Sequence, residues 1–271
     1  GVRELAKAEA KMGATRTVSS NAREIIANID AMILAVDFAA SAEQFGVREI
    51  VTIHERLMAQ SPHPKFAGVI RTQQNWIGGN DYNPCGADFV PPPPEDVPRL
   101  LEDLCKAIND ESLPPLVQAA IVHAQFETIH PFADGNGRTG RALVQVIFKR
   151  RKLAPGCLPP ISVVLATARE RYVAGLTAFR GDGVEAWIEQ FADATSRATW
   201  LSDAYLKALR RPSGQWRNAL EQSPGAPSRD APACALLEIL SANPNITDSG
   251  ATAAQGPTSR AVPSGHDSRC T

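Results

Sequence analysis

No stretch of this sequence stays apolar long enough to cross a bilayer, and no signal-peptide pattern opens it. Cysteine is sparse. Cys85, Cys105, Cys157, Cys234 and Cys270 are odd in number, scattered and without Cys-x-x-Cys spacing. That excludes a disulfide framework and a thiolate zinc site, and it fits reduced cytosolic thiols. A charge excess is missing too. The formal net charge is −1 with no broad basic block, which argues against a nucleic-acid partner. The short run Lys149-Arg150-Arg151-Lys152 suits a helix C-terminus better than a phosphate backbone. Aromatic residues stop at Trp216. Beyond it Ser, Ala, Gly, Pro and Thr dominate, and 241–271 hold too few apolar side chains for a core. These absences lead to the expectation of a cytoplasmic protein with no membrane partner.

Helical periodicity is plentiful. Segments Ala22–Phe38, Val47–Met58, Val97–Ile108, Leu116–Phe126, Gly137–Arg150, Arg169–Phe179 and Val184–Leu209 have helical length and spacing. The exception is Trp76–Val90, where Gly78-Gly79-Asn80-Asp81-Tyr82-Asn83-Pro84 is a dense turn cluster that predicts a hairpin tip. Pro91 to Pro94 then favour an extended path into the next helix. The fold class expected is all-α, a helical bundle with one small β-hairpin. In 271 residues there is room for a main domain and an appendage. The expected partition is an N-terminal helical region over 1–45, the main domain over 46–205, a linker over 206–230 and a poorly structured tail over 231–271.

The most informative run is His130-Pro131-Phe132-Ala133-Asp134-Gly135-Asn136-Gly137-Arg138-Thr139-Gly140-Arg141. It joins two apolar helical segments. Pro114-Pro115 suit the start of the first, and the cationic run suits the end of the second. The glycines therefore fall at the second helix's N-terminus, where free N–H groups and the positive end of the dipole make an anion site. Arg138 and Arg141, three apart, project from neighbouring positions, and two guanidinium forks there suit a polyphosphate. His130 has the chemistry of a general base near neutral pH. Asp134 is a hard oxygen ligand of the kind Mg²⁺ takes alongside phosphate oxygens. The Asn136 amide can donate to a phosphate oxygen, and Phe132 reads as an apolar anchor for the loop. His54 and His123 lie in apolar helical stretches and read as packed or hydrogen-bonded histidines.

The run resembles the signature of Fic-domain proteins, His-x-Phe-x-Asp/Glu-Gly-Asn-Gly-Arg-x-x-Arg, with every specified position matched. The resemblance extends to Arg71-Thr72-Gln73-Gln74-Asn75-Trp76-Ile77-Gly78-Gly79 and Ala87-Asp88-Phe89-Val90-Pro91-Pro92-Pro93-Pro94, which look like the family's flap. It also covers His123-Ala124-Gln125-Phe126-Glu127-Thr128-Ile129, which looks like its lead-in, and altogether about residues 20 to 200. It implies the Fic fold and transfer of AMP from ATP to a hydroxyl of a target protein. His130 would deprotonate that hydroxyl. Asp134 would hold Mg²⁺. Gly135, Asn136 and Gly137 would form the anion hole, while Arg138 and Arg141 would orient the β- and γ-phosphates. Tyr172 and Leu176 would line the adenine pocket, though a Tyr and a Leu four apart also suit a core. Gly78, Gly79, Ala87 and Phe89 would belong to the flap that docks the target. Related Doc toxins, which behave as kinases, carry Lys where this chain has Gly137, so the resemblance favours AMP transfer. A phosphotransferase, an AMP-removing hydrolase and a non-catalytic nucleotide-sensing regulator are the alternatives, and a homodimer stays open.

Relatives with a regulatory helix carry Ser/Thr-x-x-x-Glu-Gly/Asn. Ser20-Asn21-Ala22-Arg23-Glu24 fits the first five positions, but Ile25 departs from the sixth, and a plain helix start explains the segment. The expectation is that an inhibitory element has been lost upstream, leaving the site uninhibited. At the other end Ala231–Leu240 resembles the start of a winged helix that its continuation cannot complete, so the tail reads as a remnant.

Overall fold

Apolar side chains spaced three and four apart become helices almost wherever the chain offers them. The computed structural model describes residues 20–222, apart from 60, 62, 81 and 155–158, together with residue 234. Its helices are α1 (Ser20–Ala40), α2 (Val47–Met58), α3 (Val97–Asn109), α4 (Pro115–Ile129), α5 (Asn136–Arg150), α6 (Ile161–Thr167), α7 (Arg169–Phe179) and α8 (Val184–Glu221), with 3-10 turns at Pro64–Phe66 and Pro94–Asp96. Ala27–Ser202 form one compact unit, and the described residues from Asp203 to Gln222 fall in a second.

Helix α4 is the axis of the larger unit. It buries Ala119, Ala120, Val122, Ala124, Phe126 and Ile129, and with them the polar Gln118, His123 and Glu127. Burial on every side marks a helix surrounded by others, and α3, α5 and α7 all pack against it. Its neighbours present one-sided stripes instead. In α3 the stripe is Val97, Leu101, Leu104, Cys105 and Ile108, and in α2 it is Ile50, Ile53, His54, Leu57 and Met58. Glu49 closes the start of α2 by accepting from the Gly46 N–H at 2.9 Å. Trp187 of α8 is fully buried and donates its indole N–H to the Ala120 carbonyl at 2.7 Å. It stacks among His123, Tyr172 and Phe191.

Two expectations differ from the structure, and one helix was not expected. The hairpin over Trp76–Val90 forms no strand among the described residues; one antiparallel bridge, Ile77 with Phe89, stands in its place. Positive φ at Gly78, Gly79 and Gly86 curls the backbone out of pleated geometry. Asn80, accepting from the N–H groups of Tyr82 and Asn83, ties the tip through a side chain rather than a ladder. The linker expected over 206–230 is helical as far as Glu221, because α8 runs through Pro212 and Gly214. Proline removes one helix bond there, while Asp–Arg and Asp–Lys pairs four apart, Asp193 with Arg197 and Asp203 with Lys207, support the helix upstream. Helix α6 had no expectation; seven residues after Pro159-Pro160 are too few for a periodic signal. The start at Ser20 agrees with a plain helix start. Residues 1–19 of the N-terminal region, the Glu24 side chain and the 231–271 tail except residue 234 lie outside the described parts.

Trp187→Ala should lower the unfolding free energy by about 3–5 kcal/mol through the cavity left between α4, α7 and α8, read from denaturant titration of the full chain.

Candidate active site

Helix α4 stops at His130. Its N–H still donates to the Phe126 carbonyl at 2.9 Å, but its backbone is left-handed, with φ 49° and ψ 59°. Such geometry is uncommon for a residue with a Cβ. Pro131 then prevents the helix from resuming. The turn is held from outside by Arg71, a nearly buried guanidinium with only carbonyl partners. It donates from Nε to His130 O at 2.9 Å, and from its terminal nitrogens to Ile129 O at 3.3 Å, Pro92 O at 2.6 Å and Gln73 O at 3.2 Å. One side chain thus caps α4 and joins it to both arms of the flap. Asn75 adds a donation to Phe132 O at 3.1 Å.

The loop from Phe132 to Gly135 is built against α2. Phe132 is fully buried, as expected of an anchor, and stacks flat on His54 with ring centroids 3.6 Å apart. His54 accepts from the Gly68 N–H at Nδ1, so its Nε2 carries the proton and donates to the Asp134 carbonyl, both at 2.9 Å. Burial, its largest influence, lowers its pKa, as the neutral form requires. Gly135 is at φ 80°, and a Cβ there would come 2.7 Å from Met58 Sδ. The side chain of Asn136 is spent within the loop: Oδ1 accepts from Phe132 N–H at 2.9 Å and Nδ2 donates to Phe132 O at 2.8 Å. The Asn136 amide thus staples the loop, and a donation from it to a phosphate stays an expectation.

The two arginines diverge, because each finds a different environment one helical turn apart. Arg138 turns to α2, donating to Leu57 O at 3.3 Å and to Met58 Sδ at 2.8 Å, and lies 4.0 Å from Asp134. Arg141 lines a cavity of about 650 Å³ with Gly137, His130, Glu127, Tyr172, Leu176 and Phe89. Such a volume takes a nucleotide-sized ligand. A Cβ on Gly137 would stand 3.1 Å from Arg141 Nη1, so the glycine lets that guanidinium lie close to the first turn of α5. Asp134 is half-exposed, accepts from the Gly135 N–H at 2.6 Å and is not part of the cavity wall. Of the flap positions, Phe89 reaches the cavity. Gly78, Gly79 and Ala87 sit at the turn, where a Cβ on Gly79 would press on Ala87 N at 3.0 Å.

The His130 imidazole is largely buried. Burial first, then the Arg71 and Arg180 charges, push its pKa down to about 4, so the ring is neutral at physiological pH and free to accept a proton. Its Nδ1 has no hydrogen-bond partner and lies 3.9 Å from Glu127 Oε2. His123 is packed as expected, with Nε2 3.0 Å from the Tyr172 hydroxyl. Three participants went unnoticed in the sequence: Glu127, Arg71 and Arg180. Glu127 had one usable signal: it is the one Asp, Glu, Lys or Arg in a helix buried on every side. Arg180, which stacks 3.4 Å over Phe89 and donates to Thr128 Oγ1 at 3.4 Å, had none. Arg71→Lys keeps the charge but loses the fork. It should cost about 1–3 kcal/mol in thermal or denaturant unfolding, from carbonyls left without donors.

Residues 44–148 match the model of the Fic/DOC family. The chain is 34% identical over 143 residues to protein adenylyltransferase fic-1 of Caenorhabditis elegans, covering 52% of this chain and 25% of that one. It is 33% identical over 172 residues to protein adenylyltransferase Fic of Nematostella vectensis, covering 61% and 35%. It thus spans about a quarter to a third of the length of these curated relatives. A crystal structure of a Fic family protein from Desulfovibrio desulfuricans superposes with a TM-score of 0.56 at 26% identity, over 74% of this chain and 60% of that one. The structure of fic-1 from C. elegans, at 22% identity and a TM-score of 0.53, shares the fold. The left-handed histidine, the stapled loop and the glycine-led helix all lie inside the segment 44–148 that matches the Fic/DOC family.

Proposed function

We propose that the chain transfers AMP from ATP to a hydroxyl side chain of a target protein. One observation carries the reading: a buried, neutral imidazole opens onto the same cavity as Gly137 at the first turn of α5 and the Arg141 guanidinium. That puts a base, an anion-binding helix end and a cation around one nucleotide-sized space. The relatives named protein adenylyltransferase support it.

In this reaction His130 takes the proton of the target hydroxyl. The hydroxyl oxygen bonds to the α-phosphorus of ATP, the bond from that phosphorus to the β-bridging oxygen breaks, and pyrophosphate leaves. The first-turn N–H groups of α5 and Arg141 hold the phosphates, and Tyr172 and Leu176 flank the base. Arg138 acts from behind, tying Asp134 to the end of α2. Catalysis of this kind is positioning plus charge stabilisation.

Mg²⁺ fits as a companion of the nucleotide. Among the described residues no group of three or more His, Cys, Asp or Glu side chains forms a cage, and Asp134 offers a single half-exposed carboxylate. One carboxylate completed by phosphate oxygens is a usual Mg²⁺ environment. When bound, the ion neutralises phosphate charge. The flap serves the target: the backbone around Ile77 and Phe89, turned by Gly78, Gly79 and Ala87, pairs with an extended peptide. No described helix is long and apolar enough to cross a membrane.

The test incubates the chain and a cell lysate with Mg²⁺ and ATP labelled at the α-phosphate, beside γ-labelled ATP. Label on protein from α-ATP alone, reduced about 10²–10⁴-fold by His130→Ala, is the expected result. Label from γ-ATP alone would mean a kinase, and none from either would leave a nucleotide-sensing module.

A further inference from the structure

We propose that Glu127 is the positioning residue of the base: its carboxylate takes the Nδ1–H of His130 and so leaves the Nε2 lone pair to face the cavity. This rests on the reading of His130 as the proton acceptor.

The two groups stand one turn apart on α4, and Glu127 Oε2 lies 3.9 Å from His130 Nδ1. Neither Nδ1 nor Glu127 Oε1 has a hydrogen-bond partner, and both atoms are shut off from solvent. A shift of about 1 Å would bring the pair to hydrogen-bond distance, in competition with the Glu127 backbone carbonyl, which also reaches the imidazole. With Nδ1 sealed, only Nε2 can meet a substrate, so the ring needs its proton on Nδ1 and an acceptor for it. A base held by a buried carboxylate that also stabilises the imidazolium is a recurring catalytic arrangement.

Among the described residues the Glu127 carboxyl makes no side-chain hydrogen bond that would explain its burial. An acid buried without a full set of partners is costly, and Glu127 is the one acidic or basic side chain, histidine aside, on α4. Yet the chain keeps space for it. A Cβ on Gly140 of α5 would come 2.5 Å from Glu127 Oε1, so Gly140 leaves the room in which the carboxylate sits. The charged and titratable groups around it are Arg141 from α5, Tyr172 and Arg180 from the α7 side, and His130 on α4 itself. Burial pushes the Glu127 carboxyl up to about 7, with Arg141 and Arg180 pulling the other way. A raised carboxyl is charged only above that pH, so support for the base is present above about pH 7 and fades as the pH falls through it. In the step itself the target O–H breaks and Nε2–H forms. The resulting imidazolium faces the Glu127 carboxylate, and its proton later passes to solvent. The competing acceptor for Nδ1–H is the backbone carbonyl of the same residue, which substitution leaves in place.

Two variants of the full chain separate these. Glu127→Gln keeps an acceptor and loses the charge; Glu127→Leu loses both. Imidazole ¹⁵N shifts of His130, assigned with His130→Ala, report the tautomer without any turnover. Glu127→Leu should move them toward the Nε2–H form and lower kcat about 10²-fold, with KM for ATP changed less than about twofold. Glu127→Gln should lower kcat about tenfold and flatten the acid limb of the pH–rate profile near 7. Wild-type shifts and wild-type kcat in both variants would overturn the proposal and leave the carbonyl as the orienter. If Glu127→Leu melts early, the pH profile of Glu127→Gln decides. If wild type moves no α-label, the functional reading fails, while the shifts still decide the role of Glu127.

Discussion

Holding a residue with a Cβ in left-handed backbone costs about 1–2 kcal/mol, and His130 stays there because neighbours on every side over-determine it. Arg71 grips the carbonyls of Ile129 and His130. Pro131 blocks further helix. The bridge between Ile70 and Phe132 fixes the departing strand of chain. The loop, the start of α5 and the cavity wall all take their position from that one reversal. Strained backbone of this kind collects at functional sites, where the surrounding fold supplies the constraint.

Buried polar groups around the site divide into those fully satisfied and those left open. Asn136 and His54 have their hydrogen bonds made by backbone, Gln118 by backbone and the Arg151 guanidinium, and they hold shape. His130 Nδ1 and Glu127 Oε1 do not, and both belong to residues that line the cavity. An unmade buried hydrogen bond is costly; Asn75 Oδ1 and His123 Nδ1 share that state, but only His130 and Glu127 also line the cavity. Asparagine in the motif belongs to the scaffold, while glutamate in the lead-in belongs to the open set.

Much of the helical framework was legible because α2, α3 and α7 carry one-sided stripes or clear stops; α2 and α7 end where their spacing ends. The motif was legible because its residue types have few structural reasons to occur together. What stayed hidden depends on distance along the chain. Arg71 meets His130 across 59 positions, and no local pattern announces a guanidinium that serves carbonyls. The parting of Arg138 from Arg141 was hidden for the same reason: helical spacing gives their starting directions, but Leu57 and Met58 decide where Arg138 ends. The flap misled because a turn cluster that suits a hairpin also suits a loop tied by its own asparagine.

The bond from His54 to the Asp134 carbonyl spans 80 positions, and with the close approach of Gly135 to Met58 it makes α2 the mould for a loop it does not adjoin in the chain. The twelve-residue motif is thus not a portable cassette. Grafted between two helices of another bundle, it would arrive without the ring under Phe132, the thioether under Gly135 and the guanidinium over His130, and its backbone would relax to an ordinary turn. Engineering this chemistry into a new scaffold means transplanting three separated segments as a unit, with the spacing between them preserved.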